Sequence, residues 1–187
     1  GIMDINLEPV DMYQLSMQVH LKFQESAVNK GLRLKVERPE SRTAVMADVH
    51  AIERILHNLI GNAVKFTSEG GVTITFESVQ DRVLLKVRDT GIGIDSTQQK
   101  LMFDPFSQHL NQSTKDYGGT GLGLAISYFI IECLDGKLRV KSEVYKGSTF
   151  YFDIQVEARS AEEAKRILVD TPFEKLTKVR KLPKDYK

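Results

Sequence analysis

The chain has 187 residues, enough for one domain with a sizeable core and a short appendage. It is 41% hydrophobic and 27% charged, and its net charge of +1 gives no global reason to expect nucleic acid or an acidic surface as partner. A single cysteine, Cys133, excludes a disulfide framework or a cysteine-rich metal site and reads as a small core residue in a reducing compartment. No stretch approaches the length of a membrane-spanning helix. The N-terminus lacks a basic region followed by an apolar block. A cytoplasmic domain is therefore expected, from a full-length protein either anchored or free. The sequence opens abruptly, as an excised fragment would, and contains no internal repeat.

In chain order, Leu15, Val19, Phe23 and Val28 recur at helical spacing and predict a helix over 12–30, with Asp11 as N-cap and Gly31 as stop. Leu32, Leu34 and Val36 alternate with charged residues and predict a strand over 32–37, ended by Pro39. A second helix is expected over 48–67 and strands over 72–79 and 83–89, with Gln80-Asp81 as a tight antiparallel turn. Residues 96–103 suit a short helix, and 107–119 are polar and punctuated, a mobile loop. A strongly apolar helix over 122–134 and strands over 137–142 and 148–156 follow. This order predicts an α+β fold: a two-layer α/β sandwich with a mixed, mostly antiparallel sheet and helices on one face. It is not a doubly wound parallel sheet.

Three stretches carry chemistry. On the second helix, Ile52, Ile55, Leu56, Leu59, Ile60 and Ala63 form an apolar stripe, and Asn58, Asn62 and Lys65 share an adjacent face at i, i+4 and i+7. Two amides and an ammonium there can hold hydrated Mg²⁺ and phosphate oxygens, although a solvated helix face is the simpler reading. His57 reads as packed or surface-exposed. "DTGIGI" (residues 89–94) presents a carboxylate at a strand end beside bare backbone. That suits the exocyclic amine of a planar base; alternatively, it is only a turn. "YGGTGLGLAIS" (residues 117–127) opens a helix with glycines, exposing N–H groups to a polyphosphate, and Thr120 can add a hydroxyl donor. Neither the P-loop string, nor the dinucleotide-fold context, nor the H-R-D and D-F-G strings of protein kinases is present.

The ordered set "NLIGNAVKF", "DTGIGI", "FDPF" and "GGTGLGLAIS" resembles the N, G1, F and G2 boxes of sensor histidine kinases. The resemblance is to their catalytic and ATP-binding domain, a Bergerat-type fold of the superfamily shared with gyrase and MutL. It covers residues 4–157 and is especially close to hybrid kinases that carry a receiver domain. It implies ATP and Mg²⁺ as ligands and transfer of the γ-phosphoryl to a histidine. It implies that Asn62 coordinates Mg²⁺, that Asn58 supports it, and that Lys65 meets the phosphates. Asp89 would accept from the adenine N6 amine with Thr149 nearby, and Gly91 and Gly93, followed by Ile94, would admit the ring. Phe103 and Phe106 would anchor a lid, or only pack. Lys115 would grip the γ-phosphate. Tyr117, Gly118, Gly119, Thr120, Gly121, Leu122, Gly123 and Leu124 would line or wrap the triphosphate.

Two details bear on mechanism. The related ATPases place a water-activating glutamate where Asn58 stands, and an amide cannot act as a general base near neutral pH. Slow hydrolysis, with the phosphoryl kept for a histidine, follows. An ATP-driven clamp of the gyrase type is disfavoured for the same reason. Lys115 stands where arginine is common, which keeps the charge but loses the bidentate fork. That departure leaves a nucleotide-binding signalling module without transfer as the alternative. None of His20, His50, His57 or His109 has the phosphoacceptor context. The acceptor domain, and with it homodimerisation, is therefore expected in the full-length protein before residue 1, and a receiver domain or separate response regulator as the onward partner. Residues 158–187 read as a capped short helix and a basic linker.

Overall fold

The computed structural model describes residues 6–40, 43–102 and 122–155. Its elements, in chain order, are β1 (Glu8–Asp11), α1 (Met12–Asn29), β2 (Arg33–Val36), β3 (Ala44–Ala47), α2 (Val49–Phe66), β4 (Gly71–Val79), β5 (Arg82–Asp89), α3 (Ser96–Leu101), α4 (Leu122–Cys133), β6 (Lys137–Glu143) and β7 (Gly147–Gln155). Five strands form one sheet in the order β2-β4-β5-β7-β6. β2 runs parallel to β4, and every other pairing in that sheet is antiparallel. This is the expected mixed, mostly antiparallel architecture, with element ends within about two residues of those read from the pattern.

The period-two pattern of the strands divides the sheet into two unlike faces. Val72, Ile74, Val83, Leu85, Val87, Phe150, Phe152 and Ile154 point inward and join Ile52, Ile55, Leu56, Leu59 and Ile60 of α2 in one core. These α2 residues are 0–1% exposed. Burying each such side chain contributes about 1.5–3 kcal/mol, so this layer drives the fold. α2 starts at Asp48, whose Oδ1 accepts from Ala51 N at 3.0 Å. At its other end the Lys30 ammonium donates to the carbonyls of Val64 (2.7 Å), Lys65 (3.0 Å) and Thr67 (3.0 Å). A cation from α1 thereby satisfies carbonyls that a helix end leaves without partners.

The sequence pattern did not disclose β1 and β3. They form a separate two-stranded antiparallel ladder from Glu8↔Ala47 to Asp11↔Ala44. Each has four residues, Pro9 lies in one of them, and neither EPVD nor AVMA alternates apolar with charged residues as β2 does, so neither could be read from its pattern. The ladder is fastened to α1 by the Asp11 carboxylate: its Oδ1 caps Tyr13 N (3.0 Å) and Gln14 N (3.3 Å) and accepts from Thr43 Oγ1 (2.7 Å). Among the described residues no helix is long and apolar enough to cross a membrane.

Candidate functional site

The site is assembled where the end of α2, the end of β5 and the start of α4 meet. β5 delivers Asp89 to the inner face, where it is 6% exposed. Its Oδ1 accepts from the backbone N–H of Gly91 at 2.8 Å and of Ser148 at 3.2 Å. Among the described residues Oδ2 has no hydrogen-bond partner. One oxygen thus fixes the carboxylate and the other remains an acceptor for something else. Burial pushes the Asp89 carboxyl above its ordinary value of 3.8, against the two backbone N–H groups, which pull it down.

The turn after β5 is held from both sides. Ile92 N donates to the Phe66 carbonyl at the end of α2 (3.3 Å), and Tyr145 N donates to the Ile92 carbonyl (2.8 Å). Ile94 N donates to Ser142 Oγ (2.8 Å). Gly93 has φ +69, a left-handed conformation disfavoured for other residues, and a Cβ there would strike the Glu143 carbonyl. A Cβ on Gly91 would run into the Phe66 carbonyl and the Asp89 carboxylate. Backbone packing alone therefore accounts for glycine at both positions, beside any need to admit a ring.

The polar seam of α2 is present. Asn58, Asn62 and Lys65 are all half-buried. The Asn58 amide ties two helices: its Nδ2 donates to Ser127 Oγ at 2.9 Å, and its Oδ1 accepts from Asn62 Nδ2 at 3.5 Å. Ser127 lies on α4 and is 1% exposed. A Cβ at Gly123 would collide with Asn58 Oδ1, so glycine at this position lets the first turn of α4 close onto α2. Because Asn62 turns its NH₂ towards Asn58, its own Oδ1 is left without a hydrogen bond among the described residues. The Lys65 ammonium lies 5.0 Å from the Phe66 ring centroid. His57 is exposed and packs on Phe23 in a tilted contact with centroids 4.7 Å apart, a packed surface histidine.

Thr149, expected near Asp89, lines the same open depression as Asp89. Its register partners are Arg88 and Lys141, so it belongs to the outer face, while Asp89 belongs to the inner one. Ser148, one residue earlier, is the inward neighbour that reaches Asp89, and it is 6% exposed. The alternation of Ser148, Phe150, Phe152 and Ile154 carried that information, because successive strand residues face opposite sides. Ser127 was also missed; its only signal was a small polar residue inside an otherwise apolar helix.

Leu122 opens α4, and Leu124 is half-buried against the core. Phe103, Phe106, Lys115, Tyr117, Gly118, Gly119, Thr120 and Gly121 lie outside the described residues, as do the expected loop over 107–119 and the helix and linker over 158–187.

Residues 47–158 match the model of the histidine kinase-, DNA gyrase B- and HSP90-like ATPase family. The autoinducer 2 sensor kinase/phosphatase LuxQ of Vibrio vulnificus is 44% identical over 120 residues, which are 61% of this chain and 14% of LuxQ. The chain therefore spans about a seventh of that relative's length. Full-length ShkA, crystallised with AMPPNP, superposes with a TM-score of 0.74 at 31% identity over 86% of this chain and 34% of ShkA. The histidine kinase ThkA superposes as its isolated catalytic domain (TM-score 0.69, 26% identity, 81% of this chain, 97% of that one). It does so again in its complex with the response regulator TrrA (TM-score 0.67, 26% identity, 85% and 43%).

Proposed function

Because this chain belongs to the histidine kinase-, DNA gyrase B- and HSP90-like ATPase family and is built like the catalytic domains of sensor histidine kinases, we propose that it binds ATP and passes the γ-phosphoryl group to a histidine on a separate domain. Asp89 carries the reading: a buried carboxylate with one oxygen fixed by two backbone N–H groups and the other turned to an incoming donor. Such an acceptor matches the N6 amine of adenine.

We assign Asn62 to a magnesium ion on the same reasoning. Mg²⁺ takes oxygen donors and keeps few protein ligands beside phosphates and water. Among the described residues Asn62 Oδ1, a hard donor, has no hydrogen bond, and no trio of His, Cys, Asp or Glu competes for a metal. When bound, the ion would neutralise charge between phosphate oxygens. Asn58 acts through Asn62 and Ser127 as a positioning residue, and its amide takes up no proton, which accords with transfer rather than hydrolysis. Lys65 stands one turn beyond Asn62 to meet the phosphates, and Lys115 is assigned to the γ-phosphate from the sequence pattern alone. The onward partner would be a response regulator or a fused receiver domain, supported by the ThkA–TrrA complex.

The test is calorimetry of the 187-residue chain with ATP and ADP, with and without Mg²⁺, together with phosphohistidine formation on an added acceptor domain. Micromolar to millimolar dissociation constants, about 4–8 kcal/mol, and Mg²⁺-dependent transfer are expected. Binding without any transfer would leave a nucleotide-sensing module, and no binding would refute the reading.

A further inference from the structure

The sheet face turned away from the core carries a charge pattern that the nucleotide chemistry does not use. Register places Lys35, Thr73, Arg88, Thr149 and Lys141 in one row across all five strands. The next row runs Thr75, Lys86, Tyr151 and Arg139. These residues include five cations, and Glu37, which follows β2 beside Thr75, is the carboxylate at the end of the second row. Lys35, Lys86 and Arg139 have acidic partners at the rim, in Glu37, Glu77 and Asp153. Arg88 and Lys141 have no acidic partner among the described residues. Both are exposed and pair in register with Thr149, at the edge of an open depression of about 370 Å³ that Asp89, Glu143, Lys146 and Ser148 also line. Lys141 and Arg139 each sit 5.9 Å from the Tyr151 ring centroid.

A chain of net charge +1 does not concentrate cations by overall basicity. Charges without acidic partners on a sheet face instead fix the sign of what lies against it. We propose that this outer face docks an acidic protein surface, with carboxylates meeting Arg88 and Lys141 and an apolar contact on Tyr151. Adjacent strands are ~4.8 Å apart, so Lys35 to Lys141 spans roughly 19 Å, too broad for one small anion. Tyrosine and arginine at the centre of such a patch are the residue types enriched in protein interfaces. The carboxylates on the rim would repel a continuous phosphate backbone, which disfavours nucleic acid. Residues 156–187 hold nine Lys or Arg against six Asp or Glu, the wrong sign to cover this face.

The test titrates the whole chain into fluorescein-labelled decaglutamate, with labelled decathymidylate and tripolyphosphate as parallel probes. Joint substitution Arg88→Ala and Lys141→Ala should weaken decaglutamate about tenfold or more, while the equally charged control Lys22→Ala with Lys100→Ala changes it by less than about twofold. ADP affinity measured alongside should stay unchanged, which shows that the variant is folded. On the unmodified chain, decaglutamate should shift the amide signals of Thr73, Arg88, Lys141 and Thr149. Equal loss in both double variants, shifts confined to the α2 side, displacement by ATP, or tighter binding of decathymidylate or tripolyphosphate through Arg88 and Lys141 would each overturn the proposal.

Discussion

Asp89 and the Asn58–Asn62 pair stand on elements that meet through the Ile92–Phe66 hydrogen bond, yet they are held in opposite ways. Asp89 is a carboxyl group, nearly sequestered from solvent, and positioned by two backbone N–H groups of the sheet and its following turn. The asparagines are neutral and half-buried, and they are positioned by side chains reaching between two helices. A backbone-held group keeps its geometry when neighbouring side chains change. A group held by side chains depends on the helix–helix contact, here on Ser127 and on the absent Cβ of Gly123. The first end of the site should tolerate substitution around it, and the second should not.

The largest effect expected at either end is that of Asn62→Ala. Removing its Oδ1 should abolish Mg²⁺-dependent transfer to an acceptor supplied in trans, while circular dichroism remains that of the parent. Transfer at the parental rate would withdraw the metal assignment.

Asp89→Asn comes next and separates function from stability. The amide keeps an Oδ1 acceptor for Gly91 and Ser148 but places NH₂ where Oδ2 faced the ligand. Adenine nucleotides should bind about 1–3 kcal/mol more weakly by calorimetry. Stability should move the other way. A carboxyl whose folded pKa is raised contributes stability that is fully present below its unfolded value and is lost as pH rises through the folded one. At neutral pH the ionised Asp89 is therefore a cost that the amide lacks. Denaturant titrations should find Asp89→Asn more stable than the parent at pH 7, with the advantage shrinking towards zero below about pH 3.8, the ordinary carboxyl value. An advantage that persists undiminished in acid would mean that burial of the charge is not its source.

Ser127→Ala tests the side-chain tie. It leaves Asn58 Nδ2 without its partner and should cost about 1–3 kcal/mol of stability. It should also lower transfer more than ADP affinity, since ADP still has Asp89. An equal loss of both would make the tie purely structural. The smallest effect belongs to Thr149→Val: nucleotide affinity should stay within about 0.5 kcal/mol of the parent, because the hydrogen bond from β7 to Asp89 comes from the backbone of Ser148 and not from this side chain. A drop comparable to that of Asp89→Asn would show that the outer face communicates with the cleft.

Local pattern by itself determined the long elements, the cap at Asp11, the apolar stripe of α2 and the amide seam beside it, because a helix or strand of nine or more residues repeats its period often enough to be read. The ordered glycine and asparagine motifs likewise pointed to the family. Tertiary structure decided what depends on partners distant in the chain. β1 and β3 exist only through pairing across more than thirty residues of chain. Lys30 finishes a helix that is not its own. Asn58 is committed to Ser127, a contact sixty-nine residues away. The choice of Ser148 over Thr149 turned on strand phase, which flips with every residue and has meaning only once the core side of the sheet is known. The cationic rows of the outer face were equally hidden, since they join residues from five separate strands whose charges cancel against acids elsewhere in the chain total.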